Sequence, residues 1–302
     1  QGYAGSRRQL QLMMRPQGWF GDGATALPLW CDAENSCPLH CLQSLQFWPY
    51  VVLQLVLFYG SALTVFILKQ LRLWPKQSSE KHYDKNFDNV FYVAWHIPMA
   101  IMAVPLSLLC ISGAYGTWVT GDPRVMYGPV AQSAINESGV WFTSFLATDT
   151  LLVTIHSLGG KETYIHHTIF AIVTAVFVVN CACPFTAAML IAQEFSTPAL
   201  NAFILLRVYT GLDSMVTQAT FLLFALLFYI FRIFLNTLCT ALFIMEVVRG
   251  FSGPSGFTIS QPLQCVTMVV LIGGAGLQLH WGMIIAKKIY GAFAGSKSEK
   301  AE

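Results

Sequence analysis

Charged residues are scarce in this 302-residue chain, at 11% of the sequence. A soluble protein carries about a quarter charged residues, so this chain is too poor in charge to cover a soluble surface. Hydrophobic residues make up 55% of the composition, and the mean hydropathy is +0.56. These values indicate an integral membrane protein. The small net charge of +2 and the lack of a dense basic run argue against nucleic acid as a partner.

Recognisable metal-binding patterns are also missing. Cys31, Cys37 and Cys41 lie together in a polar N-terminal arm, but they lack the paired CxxC spacing of zinc sites. A disulfide in an oxidising compartment and a weak zinc site with His40 both stay open. The remaining cysteines lie in apolar runs, where cysteine acts as a small hydrophobic residue; they are Cys110, Cys181, Cys183, Cys239 and Cys265. We therefore expect neither a metal nor a cofactor.

The first long apolar run begins near Trp48, too far into the chain for a cleavable signal peptide. The chain divides into an extramembrane arm (1–46), a first transmembrane helix with a basic loop (47–90), a helical bundle (91–290) and a polar tail (291–302). Arg7, Arg8 and Arg15 precede any acidic residue. A basic tail is the favoured interpretation of this start, and the remnant of a transit segment is the alternative.

Apolar runs recur along the rest of the chain and predict an all-α, polytopic membrane bundle of about seven transmembrane helices. The predicted spans are 48–68, 91–113, 141–158, 166–183, 184–195, 220–248 and 263–286. The fourth and fifth spans meet at Pro184 without a polar loop, which favours a tight hairpin. The stretch 201–216 is predicted to be interfacial or re-entrant. The distribution of Lys and Arg places the N-terminus outside and the C-terminus in the cytoplasm.

Ionisable residues at membrane depth are candidates for function because they are costly to place there. Asp149 and His156 are seven residues apart, which is two helical turns, and therefore share one face of a helix. A shared cavity and separate structural roles are equally good interpretations of that pair. Arg232 falls near the centre of a span, so we expect it to face the bundle and to pair with Asp149 or Glu194.

Two adjacent histidines, His166 and His167, open the predicted fourth span. Their side chains diverge by about 100° on a helix, so the two are poorly placed to bind one metal ion. Helical zinc sites use histidines four residues apart, as in HExxH, which this chain lacks. Either histidine is suited to act as a general base near neutral pH. A pair of interfacial histidines is the simpler alternative.

Several motifs occur in an order that is specific in combination. They are 145–152 (FLATDTLL), 164–167 (YIHH), 194–201 (EFSTPALN), 228–232 (FYIFR) and 279–281 (LHW), followed by Lys287 and Lys288. Together they resemble the TLC-domain family, which is named after translocating-chain-associated membrane, longevity-assurance and ceroid-lipofuscinosis proteins. The resemblance covers about 91–290 and is nearest to the non-synthase members of the family.

The resemblance implies helices around a lipid-accessible cavity and a location in the endoplasmic reticulum, with a mitochondrial or plastid membrane left open by the Arg-bearing start. In the synthases of the family, the histidine pair belongs to the acyl-transfer site, together with an aspartate pair farther along. This chain keeps His166 and His167 but has no aspartate in 186–193. Ceramide synthase activity is therefore not expected.

Three functions stay open on this basis. The first is lipid handling, with a membrane lipid bound in a cavity whose polar residues are Asp149, His156, Glu194 and Arg232. The second is an acyl-CoA-dependent N-acyltransferase, for which His166 and His167 would be catalytic. The third is an accessory or structural subunit of a larger membrane complex, with other membrane protein subunits as partners. Bound lipid is expected in each case, and acyl-CoA only for an enzyme.

Overall fold

The computed structural model describes residues 45–78, 83–122, 126–127, 133–180, 182–252, 257 and 259–298. In this part of the chain all regular structure is helical, and six helices are long and apolar enough to cross a membrane: Trp48–Gln70, Val90–Thr120, Ala134–His156, Pro184–Tyr209, Met215–Ser252 and Gln261–Gly291. A shorter apolar helix covers Thr163–Val178. The prediction of an all-α, multi-pass membrane bundle is confirmed. Cys31, Cys37 and Cys41 lie outside the described residues.

Within these ranges we number the α-helices in chain order. They are α1 (Trp48–Gln70), α2 (Val90–Thr120), α3 (Ser133–His156), α4 (Lys161–Val179), α5 (Pro184–Ile191), α6 (Thr197–Tyr209), α7 (Met215–Leu227), α8 (Asn236–Ser252) and α9 (Gln261–Ser298). A 3₁₀ helix, Ala192–Ser196, joins α5 to α6, and a π-helix, Phe228–Leu235, joins α7 to α8.

Helix α2 is the central element, because α1, α3, α5 and α6 all pack against it. Its start is capped by Asn89, whose side-chain oxygen accepts a hydrogen bond from the backbone N–H of Phe91 at 2.9 Å. Its end is marked by Gly121, whose φ of 61° is the left-handed conformation that glycine adopts without strain. The helix continues through Pro98 and Pro105, because neighbouring helices surround this part of the backbone.

The join between the fourth and fifth spans lies where it was predicted, since α4 ends at Val179 and α5 begins at Pro184. The predicted end of the fifth span at 195 is wrong, and so is the interfacial assignment of 201–216 as far as Tyr209. The structure has one continuous helical segment, Pro184–Tyr209, long enough to cross the membrane.

Pro184 and Pro198 each lie in the first turn of a helix. Backbone N–H groups in the first turn have no partner within the helix, so proline breaks no hydrogen bond there. The polar residues Glu194 and Ser196 between these prolines are buried inside the bundle, and Ser196 accepts a hydrogen bond from Arg232. The interfacial prediction rested on Arg207 and Asp213, and Arg207 lies in the last turn of α6.

Helix α4 lies at the side of the bundle, packed mainly on α3 and more lightly on α5. Its outer face exposes Ile165, Ile169 and Ile172, as expected of a helix that faces lipid. The turn before it contains Gly159, where an added Cβ would lie 2.8 Å from the Cβ of Thr163. Glycine therefore allows the close approach of α3 and α4, which places the histidine pair beside Asp149.

Candidate functional site

An aspartate and a histidine meet between α3 and α4. The Oδ2 atom of Asp149 is 3.2 Å from Nε2 of His167, and the two residues are 1% and 6% exposed. The distance is that of an ion pair, although Oδ2 accepts no well-aligned hydrogen bond from the described residues. The other carboxylate oxygen accepts a hydrogen bond from the indole N–H of Trp95 at 2.8 Å. Asp149 is thus held from both sides.

The His167 ring is fixed in orientation by contacts at both nitrogens. Its Nδ1 atom lies 3.2 Å from the hydroxyl oxygen of Thr150, while Nε2 faces Asp149. The Thr150 hydroxyl also donates to the backbone carbonyl of Leu146 at 2.7 Å. Both ring nitrogens face partners within the protein, so neither is available to a ligand. His167 is therefore better placed to hold α4 on α3 than to transfer a proton.

A second group of polar residues surrounds Arg232 of the π-helix. Its Nη2 atom lies 3.4 Å from both carboxylate oxygens of Glu194 and donates to the Thr197 hydroxyl at 3.0 Å. Its Nε atom donates to the Ser196 hydroxyl at 2.8 Å, and Thr197 in turn donates to Glu194 at 2.5 Å. This pairing explains how a cation is accommodated at membrane depth. Of the two predicted partners, Arg232 meets Glu194.

These two groups lie within the range of electrostatic interaction with each other. Glu194 acts electrostatically on Asp149, His166 and His167, and Arg232 acts on His166. Five of the six sequence-predicted residues are therefore brought together. We call Asp149, His166, His167, Glu194 and Arg232 the charged cluster.

His156 is separate from the charged cluster. It ends α3, where its ring stacks on Phe91 of α2 at 4.2 Å and its Nε2 lies 3.3 Å from the hydroxyl of Tyr59. Asp149 and His156 do share the α2-facing side of α3, since Trp95 and Phe91 are one turn apart on α2. An aromatic contact with α1 and α2 is the role that this geometry supports for His156.

His166 differs from its neighbour because its ring is half-buried and makes no hydrogen bond with the described residues. Its ring centroid is 4.6 Å from that of Phe170, one turn later on α4. Phe170 in turn contacts Phe142 of α3, with ring centroids 5.9 Å apart. A line of rings therefore leads from the charged cluster into the space between α3, α4 and α5.

A cavity of about 50 Å³ occupies that space. Its wall is apolar except for Asn136 and Thr174. The other side chains that shape it include Ile135, Phe142, Phe170, Phe177, Leu190 and Ile191. The cavity has room for only a few atoms as it stands. The boundary between α4 and α5 beside the cavity is loosely packed.

Several residues of the site escape sequence reasoning. Trp95 lies in an apolar run 54 positions from Asp149, and no spacing rule links the two. Thr150 looks like an ordinary helical threonine. Ser196 and Thr197 do stand within the EFSTP motif beside Glu194, so the local sequence marks them. Their bonds to Arg232 become apparent only in the structure.

The described residues contain no group of three or more His, Cys, Asp or Glu side chains placed to hold a metal ion. Asp149 and His167 supply two ligand types, but Glu194 is engaged by Arg232. The charged cluster is therefore arranged for hydrogen bonding and charge pairing.

The model of one protein family, described as the TLC domain, matches residues 33–287. The match includes α1 to α8, most of α9 and every member of the charged cluster, and it begins earlier than the motifs from which the resemblance was drawn. Comparison with curated proteins finds no match.

Proposed function

This chain belongs to the TLC-domain family and crosses the membrane several times, and we propose that it binds a membrane lipid, with the polar end at the charged cluster and an acyl chain between α3, α4 and α5. The observation that carries the proposal is the contact of His166 with Phe170. Through it, a buried polar site continues directly into an apolar cavity, which is the arrangement that an amphipathic ligand requires.

The chemistry of the cluster favours a polar end that donates hydrogen bonds. The cluster holds two carboxyl groups, those of Asp149 and Glu194, and one guanidinium, that of Arg232. The Oδ2 atom of Asp149 accepts no aligned bond from the described residues, and the His166 ring is free of hydrogen bonds there. A hydroxyl, amide or amine group, such as those of sphingolipids and several phospholipids, complements such acceptors.

Lipid retention by cavity variants tests the proposal. Ala187 lines the cavity, whereas Ala171 is exposed on the outer face of α4. We expect Ala187→Phe to fill the cavity and to lose the lipid that co-purifies with the protein in mild detergent, measured by mass spectrometry per mole of protein. Ala171→Phe adds the same ring outside the cavity and should retain it. Equal retention by both variants would contradict the proposal.

A photoreactive probe provides an independent readout. A fatty acid with a diazirine near the end of its chain should crosslink to peptides within 170–191, and excess unlabelled lipid should compete. Crosslinks spread evenly over the exposed faces of α1, α7 and α9 would indicate ordinary contact with the bilayer and would speak against a specific cavity.

Acyl transfer is a second candidate, supported by the unbonded ring of His166. In that reaction an amine nitrogen attacks the carbonyl of an acyl thioester, His166 accepts the amine proton, the C–S bond breaks, and the proton passes to the departing thiolate. The stretch 186–193 offers no aspartate, so Glu194 and Asp149 are the carboxylates available to the reaction.

Turnover of a long-chain acyl-CoA with a sphingoid base by the purified protein tests this candidate. His166→Ala should abolish turnover, whereas His167→Ala should lower stability together with turnover. Full activity in His166→Ala would exclude the mechanism. An inactive wild-type protein that still retains lipid would exclude acyl transfer and leave the lipid-binding proposal intact.

A further inference from the structure

A second set of buried polar residues lies on α5, α8, α9 and the 3₁₀ helix. It comprises Thr186, Gln193, Asn236, Thr240, Thr267 and Gln278, which we call the polar seam; all six are buried. Five of them carry a side-chain oxygen without a hydrogen-bond partner among the described residues: Thr186, Asn236, Thr240, Thr267 and Gln278. Such atoms are uncommon in native proteins, and each calls for an explanation.

The threonines of the seam differ from most other helical threonines of this chain. Thr117, Thr148 and Thr220 are typical of the latter, since each hydroxyl donates to the carbonyl four residues earlier at 2.8 Å. Thr240 and Thr267 have such a carbonyl in their own helices but do not bond to it. Among the described residues these two hydroxyls therefore have no hydrogen-bond partner.

The seam adjoins the charged cluster along the chain. Gln193 directly precedes Glu194 and accepts a hydrogen bond from Gln278 of α9 at 3.5 Å. Asn236 begins α8 at the end of the π-helix, four residues after Arg232, and Thr240 follows one turn later. Helices α8 and α5 meet here, with the thiol of Cys239 at 4.0 Å from the Thr186 carbonyl.

On α9 the seam runs from Gln278 back to Thr267, which are eleven residues or about 16 Å apart. Both lie on the buried stripe of α9, on either side of Leu271. Thr267 is six residues from the start of α9 at Gln261, or about 9 Å. The seam therefore extends from the charged cluster, at membrane depth, toward the membrane surface at which α9 begins.

We propose that the polar seam binds a file of water molecules that connects the charged cluster to this membrane surface. Lipid tails offer no hydrogen bonds, so only water or protein can satisfy the buried oxygens. The π-helix supports this function, because its irregular turn ends where the seam begins and such segments occur at functional sites. The file would exchange protons and water with the charged cluster without passing through the apolar cavity.

Cysteine accessibility in lipid nanodiscs tests the water file. Thr240→Cys places a thiol on the seam, and Leu238→Cys places one on the exposed face of the same helix, two residues away. Both are made in a background without native cysteines and are treated with a small charged methanethiosulfonate. Because the thiolate is the reactive form, a hydrated Thr240→Cys should react about eightfold faster at about pH 8 than at about pH 7. Leu238→Cys should stay unreactive.

Equal rates for the two cysteines, with both proteins labelled fully after unfolding, would overturn the proposal. If Thr240→Cys does not fold, a second variant tests the proposal. Thr240→Val removes the hydroxyl and keeps the shape of the side chain. If water occupies the seam, the melting temperature should fall because a bonded group is lost. If the hydroxyl is dry and unpaired, the melting temperature should rise, and that result would also overturn the proposal.

Discussion

Removing one member of the Glu194–Arg232 pair should strongly destabilise the protein. Glu194→Gln keeps the size of the side chain but leaves the Arg232 cation with only the hydroxyls of Ser196 and Thr197 and a neutral amide. Breaking a buried ion pair costs about 3–5 kcal/mol. At about 2–4 °C per kcal/mol, this cost corresponds to a fall of about 6–20 °C in melting temperature, measured by thermal unfolding in nanodiscs.

The double variant Glu194→Gln with Arg232→Met should recover much of this loss, because no uncompensated charge is left in the bundle. A matched control is Arg207→Gln on α6. Arg207 lies 4.0 Å from Asp84, and the two side chains are 43% and 29% exposed, so its loss should cost no more than about 1 kcal/mol. Paired residues should be coupled, so the effects of Glu194→Gln alone and Arg232→Met alone should not add up to that of the double variant. Additivity to within about 0.5 kcal/mol would refute the pairing.

Two further predictions use the same unfolding assay. Asp149→Asn and His167→Gln should each lower the free energy of unfolding by about 1–3 kcal/mol. The double variant should lose less than the sum, because both substitutions remove the same contact. Full additivity would argue against that contact. Gly159→Ala should cost about 1–3 kcal/mol, because the new methyl group would press on Thr163. Gly160→Ala meets nothing within 4 Å and should be neutral to within about 0.5 kcal/mol; equal effects at the two glycines would contradict the close approach of α3 and α4.

The sequence shows which ionisable residues lie at membrane depth. It does not show which of them contact one another in the folded bundle. Asp149, Glu194 and Arg232 stand out because each ionisable side chain interrupts an apolar run. Helical spacing then assigns residues to a face of their own helix, as it does for Asp149 and His156. It does not say which helices are neighbours, so the partner of Arg232 could not be chosen between Asp149 and Glu194.

The error at Pro184–Tyr209 has a related cause. Proline and a polar EFSTP stretch usually mark the end of a membrane span, because an unsatisfied polar group in lipid is costly. Here the cost is offset by Arg232, which reaches the segment from a helix 35 residues later and bonds to Ser196 and Thr197. A compensating contact between distant segments cannot be read from either segment alone.

The Asp149–His167 pair and the Glu194–Arg232 pair hold different helices in place. Apolar contacts between membrane helices discriminate poorly between protein and lipid, because lipid tails are as apolar as leucine. Helix α4 depends on such contacts over most of its length. Directional contacts fix its position on α3 near its start, where His167 meets Asp149 and Thr150 and the Tyr164 hydroxyl donates to the Val153 carbonyl at 3.5 Å. Helix α5 is fixed separately, through the segment that Glu194 and its neighbours tie to Arg232. An acyl chain that separates α4 from α5 would therefore leave both pairs intact, because neither pair joins these two helices.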